Sequence, residues 1–391
     1  METPIQLDDL IKALMDEETL FPPKLLYQFS DLSSANTRVL REAWPNVPLQ
    51  RRRNLVSDLV DLAESDPMLM FEEMGRFALE DADDQVVESA IDLLFEEEDR
   101  RLATAYLDIL TDTTRGGQVR AAAANVLGVR LAGLADAHQA LIDRIENALL
   151  AAHHADPSDL VRRRALESLG FSNHADVPQL IRAAFARQEL DWVESALFAM
   201  GRSADEQWEQ NVLATLTHEN AAVRAQAFHA AGELSLQKAR QTLVKALKNE
   251  VDSDVRHEAI WALSQIGGEG IGEKLEALLE ETDDDEEAQL IEEALDTLNF
   301  INGDGELEML AFPSQAGHQH AGVDGEEPGA LSEEEEEEEG FLSARSGRDL
   351  EEWDRYINDG DSEFDEDDEF DEDSFEEDDF DDGFEDVDGK Y

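Results

Sequence analysis

The pair in this chain that comes nearest to chemistry is His257-Glu258, an imidazole and a carboxylate on adjacent residues, each able to ligate a metal ion. A metal centre made from such pairs needs several of them, and the other His-Glu in the chain is His218-Glu219. His153-His154 and His318-Gln319-His320 are the remaining imidazole groupings. Adjacent residues on a helix point in different directions, and the second group lies among glycines with no further nitrogen or sulfur ligand nearby. The chain holds no cysteine, which removes thiolate catalysis, Cys-ligated zinc and iron–sulfur clusters. It has no G-x-G-x-x-G, Walker, G-x-S-x-G or H-E-x-x-H motif, and its acidic runs lack the glycine-centred loop, ending in Glu, that holds calcium. These residues predict no catalytic constellation, no metal site and no cofactor.

The elements that would position them come from a repeat. Val-Arg recurs at Val119-Arg120, Val161-Arg162, Val223-Arg224 and Val255-Arg256. With Val86, Trp192 and Leu290 taken as degenerate copies of the valine, the anchors lie 33, 42, 31, 31, 32 and 35 residues apart. Four residues after each anchor stand Ala90, Ala123, Ala165, Ala196, Ala227, Ala259 and Ala294. Eight residues after it stand Leu94, Leu127, Leu169, Met200, Ala231, Leu263 and Leu298, followed in four cases by Gly128, Gly170, Gly201 or Gly232. Positions 0, +4 and +8 share one helical face. A small residue at +4 admits a neighbouring helix, and the glycine is expected to end the helix as a left-handed cap. Twelve residues before the anchors stand Met74, Leu107, Leu149, Leu180, Leu243 and Leu278, with Val212 beside the exception Asn211, which predicts a second helix in each unit. Pro178 fits the first turn of one such helix, and Asp83, Asn220 and Asp252 fit N-caps of the anchor helices. The 42-residue spacing predicts an extra turn or loop near Gly128–Ala137 or Ala151–Asp159.

Asn220-Ala221-Ala222-Val223-Arg224-Ala225-Gln226-Ala227 and Asp252-Ser253-Asp254-Val255-Arg256-His257-Glu258-Ala259 are the clearest copies. With the Leu-Gly that follows, the pattern resembles the HEAT-like repeats of the phycobilisome-lyase type. The whole chain also resembles bacterial HEAT-repeat proteins with an N-terminal helical cap and an acidic tail. The resemblance implies an all-α fold, an α-solenoid of HEAT-like helix pairs over residues 81–300, with a helical cap at 1–80 and a disordered acidic tail at 301–391. Scaffolds, bilin lyases and hydroxylases use this repeat alike. Deoxyhypusine hydroxylase, a HEAT-repeat enzyme, holds two irons with several His-Glu pairs on its repeat helices. The positions here that match His257-Glu258 are Glu88-Ser89, Ala121-Ala122, Arg163-Arg164, Glu194-Ser195, Ala225-Gln226 and Glu292-Glu293, none of them His-Glu. One pair does not make that centre.

Charge separates the chain into two parts. Residues 1–300 carry 58 acidic and 27 basic side chains, whereas residues 301–391 carry 37 and 4. This balance opposes direct contact with nucleic acid or anionic lipid, which requires clustered Lys and Arg. Arg51-Arg52-Arg53 and Arg162-Arg163-Arg164 are the only basic triplets; they are read as solvated helix surface, the alternative being a dock for the chain's own tail. The Arg column of the repeats is read as pairing with acids or carbonyls between successive units. No segment approaches the ~18 consecutive apolar residues of a membrane span. Met1–Leu20 lacks the order of a signal peptide, so a cytoplasmic monomer is expected.

In the tail, Phe364, Phe370, Phe375, Phe380 and Phe384 recur among acids, and Trp353 and Tyr356 precede them with Leu350 and Ile357 on one helical face. Carboxylates steer such a segment toward basic surfaces, and rings supply contact on arrival. These residues predict a non-enzymatic scaffold or adaptor whose solenoid and tail bind a protein partner with a basic surface. The alternatives are a HEAT-repeat enzyme and an acidic chaperone or nucleic-acid mimic.

Overall fold

Helix follows helix through the computed structural model, which describes residues 7–16, 19–97, 99–134 and 138–302. The first six are α1 (Leu7–Met15), α2 (Ser34–Ala43), α3 (Leu49–Ser65), α4 (Glu72–Ala78), α5 (Asp84–Leu93) and α6 (Leu102–Thr111). Next come α7 (Gly117–Ala132), α8 (Gln139–Ala155), α9 (Asp159–Leu169), α10 (Val177–Phe185), α11 (Leu190–Arg202) and α12 (Glu209–Thr215). The last are α13 (Ala221–Glu233), α14 (Arg240–Asn249), α15 (Ser253–Ile266), α16 (Ile271–Glu281) and α17 (Asp285–Asn302). No strand occurs among the described residues.

From α3 onward the helices alternate between two layers. Each odd-numbered helix from α3 to α15 packs on the next odd-numbered one, and each even-numbered helix from α4 to α16 packs on the odd-numbered helix that follows it. Stacked helix pairs of this kind form the expected α-solenoid. The seven anchors sit on α5 to α17 of the odd layer, and all seven +4 alanines and all seven +8 residues are buried. The N-caps form as expected: Asp83, Asn220 and Asp252 accept hydrogen bonds from the amides of Val86 (3.3 Å), Val223 (3.0 Å) and Val255 (3.2 Å). Pro178 lies in the first turn of α10. The long unit spends its added residues on helix: α7 and α8 have 16 and 17 residues, against 11 and 9 in α9 and α10. Among the described residues no helix is long and apolar enough to cross a membrane.

The glycines at +9 are not left-handed caps. Gly128, Gly201 and Gly232 lie inside α7, α11 and α13, and Gly170 follows α9 with φ −54°, an ordinary helical value. They mark close approach instead. A Cβ would stand 2.7 Å from the Cα of Ser168 at Gly128, 2.9 Å from the carbonyl of Ala199 at Gly170, 3.1 Å from the Cα of Ala230 at Gly201, and 2.9 Å from the Cα of Ala262 at Gly232. Each of these neighbours is the +7 residue of the next unit, so a glycine row on one helix faces a row of Ser or Ala on its successor. Left-handed glycine does appear at Gly267 (φ 59°), whose amide donates to the Leu263 carbonyl and ends α15.

Candidate functional site

Positions +2, +6 and +10 lie on the side of each odd-numbered helix opposite 0, +4 and +8, and so turn away from the even layer. Along α11, α13 and α15 this outer face carries Glu194, Phe198 and Arg202, then Ala225, His229 and Glu233, then His257, Trp261 and Gln265. The His229 ring lies parallel to Trp261 at 4.3 Å (8°) and to Phe198 at 6.1 Å (4°). The Arg202 guanidinium stands 4.4 Å from the centre of Phe198 and 4.7 Å from that of Phe171, the +10 residue of the α9 unit. Rings and cations therefore alternate across four successive units, from Phe171 through Arg202, Phe198 and His229 to Trp261. Stacking of this kind is favourable in desolvated surroundings.

Two carboxylates complete the column. Glu258 of α15 lies 3.1 Å from His229 Nδ1, and Glu233 lies 3.6 Å both from His229 Nε2 and from Arg202 Nε. Burial alone would push the His229 imidazolium down, but Glu258 and Glu233 outweigh it and raise its pKa to about 9. An imidazole whose two nitrogens face carboxylates in this way is held as a cation at neutral pH. One turn away, burial raises the Glu194 carboxyl to about 7, with Asp191 and Glu167 adding to the shift and Arg163 opposing it. Ser195 and Gln226, at +3 of successive units, are both buried.

Reasoning from His-Glu adjacency missed this column. Glu258 is engaged with His229, 29 residues before it in the chain. The signal was the repeat register itself, since Phe198, His229 and Trp261 occupy +6 in three consecutive units. His153 and His154 meet edge to face at 5.3 Å, and His153 Nδ1 lies 3.1 Å from the Arg162 carbonyl. Trp353, Tyr356, Phe364, Phe370, Phe375, Phe380 and Phe384 lie outside the described residues, as do His318 and His320.

The basic triplets depart from expectation. Arg163 and Arg164 are buried rather than solvated, and each of the six arginines has a partner among the described residues. Arg51 donates to the carbonyls of Asp16 and Thr19, Arg52 pairs with buried Asp81, and Arg53 grips Asp83 through two bonds of 2.9 and 2.7 Å. That grip ties α3 to the N-cap of α5 and holds the Asp83 carboxyl below its usual range. Arg163 lies 3.4 Å from Asp191, and Arg164 and Glu167 form a buried pair at 2.9 Å. In the Arg column, Arg120 reaches Asp156, Arg224 reaches Glu250 at 2.9 Å and Arg256 reaches Glu287, each at the start of the next unit. Arg162 differs, pairing with Asp159 on its own helix.

A cavity of about 570 Å³ opens between α2, α4 and α6, with Phe77, Leu102 and Ile109 among its walls. Four guanidiniums border it, and each is matched by an acid: Arg41 by Glu80, Arg76 by Glu72 and Asp99, Arg101 by Asp99, and Arg115 by Asp84. No cluster of three His, Asp or Glu side chains suited to a metal ion occurs among the described residues.

Residues 194–264 and 209–296 match the family model described as HEAT repeats, so the resemblance read from the Val-Arg and Ala columns is shown for this stretch. Among solved structures, the chain is similar to the complex of CpcE and CpcF of phycocyanin lyase from Nostoc (15% identity, 72% of this chain, 97% of that chain, TM-score 0.44). It is also similar to the Escherichia coli protein YibA (17% identity, 73% of this chain, 98% of that chain, TM-score 0.37). A third is human deoxyhypusine hydroxylase in complex with glycerol (18% identity, 75% of this chain, 96% of that chain, TM-score 0.31). The comparison with curated proteins gives no match.

Proposed function

We propose that this protein is a non-enzymatic scaffold or adaptor that binds a protein partner with a basic surface through the outer face of its odd-numbered helices and through its acidic tail. One observation carries this reading. Successive units pair their titratable groups from unit to unit, as Arg202 with Glu233 and His229 with Glu258, and the four guanidiniums that border the cavity between α2, α4 and α6 are each matched by an acid. The 58 acids against 27 bases in residues 1–300 favour a basic partner by charge complementarity, and the 37 acids of the tail add to it. Half-buried Trp261, at the end of the column, supplies the kind of aromatic surface on which interfaces concentrate their binding energy. Trp353, Tyr356 and the five tail phenylalanines extend the same chemistry beyond the helices.

Affinity capture from native lysate, with the full chain beside a 1–300 truncation, tests the reading. Basic proteins retained by both forms, more strongly by the full chain, are the expected result. A stoichiometric metal ion or a bound chromophore in the purified protein, together with no captured partner, would replace the scaffold by an enzyme.

A further inference from the structure

We infer that His229, held as a cation between Glu233 and Glu258, is the keystone that makes α11, α13 and α15 open as one unit, and that loss of its proton favours that joint opening. The inference concerns how the units are coupled and stands apart from what they bind. Its basis is geometric. His229 on α13 is sandwiched between a ring from α11 and a ring from α15, each within 8° of parallel. Its two nitrogens face Glu233 on its own helix and Glu258 on α15. Arg202 of α11 closes the chain by standing against Glu233, so charges alternate as Arg202, Glu233, His229, Glu258. The side chains of His229, Glu233 and Arg202 are 6%, 4% and 8% exposed, so water hardly screens these contacts. The remaining helix that packs on α13 is α12, whose one charged residue, Glu209, pairs with Lys238.

Protonated, the four groups sum to zero charge. Without the His229 proton, Glu233 and Glu258, with side chains 4% and 17% exposed, lose the positive charge between them, and the loss spans both junctions of α13. The glycine and alanine rows at these junctions raise the consequence. Gly201 faces Ala230, and Gly232 faces Ala262, at distances that leave no room to repack around a displaced carboxylate. With its pKa raised to about 9, the proton is in place at neutral pH and leaves under alkaline conditions. Each pH unit over which the folded state keeps a proton that the open state has lost changes the opening equilibrium tenfold.

Hydrogen exchange of the full chain, corrected for the intrinsic base-catalysed rate and referred to α7, reads this directly. Between pH 7 and pH 10, protection of Leu190–Arg202, Ala221–Glu233 and Ser253–Ile266 is expected to fall together, by at least tenfold more than that of Gly117–Ala132. Glu258→Gln removes one of the two counter-charges while keeping size, and should move the midpoint of this change down by at least one pH unit. His229→Gln should make the three helices equally open at both pH values. Should His229→Gln fail to fold, the Glu258→Gln midpoint alone decides. Protection that keeps pace with α7 across the range would overturn the inference, as would a midpoint that Glu258→Gln leaves in place.

Discussion

The α7–α9 and α9–α11 junctions have the same packing and different chemistry. Both set a glycine row against a +7 Ser or Ala, and both bury the +4 alanine. At the first, Arg120 crosses to Asp156, and both side chains are about 95% buried. At the second, Arg162 stays on its own helix with half-exposed Asp159, and the crossings are Trp192 Nε1 donating to Asp159 at 2.9 Å and Arg163 pairing with Asp191 at 3.4 Å. The cause is one residue. Five positions before the next anchor stands Asp156 for Arg120 and Glu250 for Arg224, but Arg187 for Arg162. Like charge there sends Arg187 onto Glu189 at 2.9 Å and over the Trp192 ring at 4.1 Å. A repeat therefore fixes where helices touch more strictly than it fixes what crosses between them.

The largest effect should come from breaking the crossing at the first junction. Arg120→Ala leaves Asp156 buried with a hydrogen bond from the Ser158 amide but no counter-charge. Removing one partner of a buried pair costs roughly 3 kcal/mol or more, so denaturant unfolding at neutral pH should show a clear fall in midpoint. A loss below about 1 kcal/mol would mean that water reaches Asp156.

Packing should respond alike at every junction. Ala165→Leu at the second junction and Ala227→Leu further along both place a large side chain at a fully buried position, and each should cost about 1–3 kcal/mol through overpacking. Thermal melts in which one drops and the other does not would show that the junctions differ in packing too.

Stability should also depend on pH in a direction set by the outer-face column. A histidine whose folded pKa stands near 9, against an ordinary 6.5, contributes stability that is fully present below 6.5 and lost as pH rises through 9. Glu194, raised from 4.5 to about 7, acts in the same sense, since the folded state keeps its proton longer than the unfolded chain does. At 1.4 kcal/mol per unit the histidine alone is linked to about 3.5 kcal/mol at most. The melting temperature should therefore be higher at pH 6 than at pH 9. His229→Gln should remove most of that difference, and an equal slope in the variant would assign it to the net charge of the chain.

Much of this was legible in the residues, and the rest failed for a physical reason. Asp83, Asn220, Asp252 and Pro178 act locally, so their types announce their roles. The alanine column needed only periodicity. Glycine at +9 was ambiguous, because a left-handed cap and a close helix contact both exclude a Cβ. Only the Ser or Ala row at +7 of the following unit distinguishes them. The His229 column was hidden for a related reason: its members stand 31 and 32 residues apart and acquire meaning only when the units are stacked. Arg52, Arg163 and Arg164 read as surface because three adjacent charges suggest solvent, whereas two of them are buried against acids from the repeats.

The smallest predicted effect sharpens the opening contrast most. Arg162 occupies the same repeat position as Arg120, so a reading by register alone expects equal costs for their removal. Its ion pair with Asp159 is within one helix, three residues apart, with side chains 35% and 50% exposed. Pairs of that kind contribute about 0.5 kcal/mol or less, and salt screens them. Asp159 moreover keeps its hydrogen bond from Trp192, and the Arg162 carbonyl keeps its contact with His153, since both survive truncation of the side chain. Arg162→Ala should therefore shift the unfolding free energy by no more than about 0.5 kcal/mol, and the shift should vanish in high salt. A loss comparable to that of Arg120→Ala would show that Arg162 reaches across to α11 in solution, and that position within the repeat outweighs the like charge of Arg187.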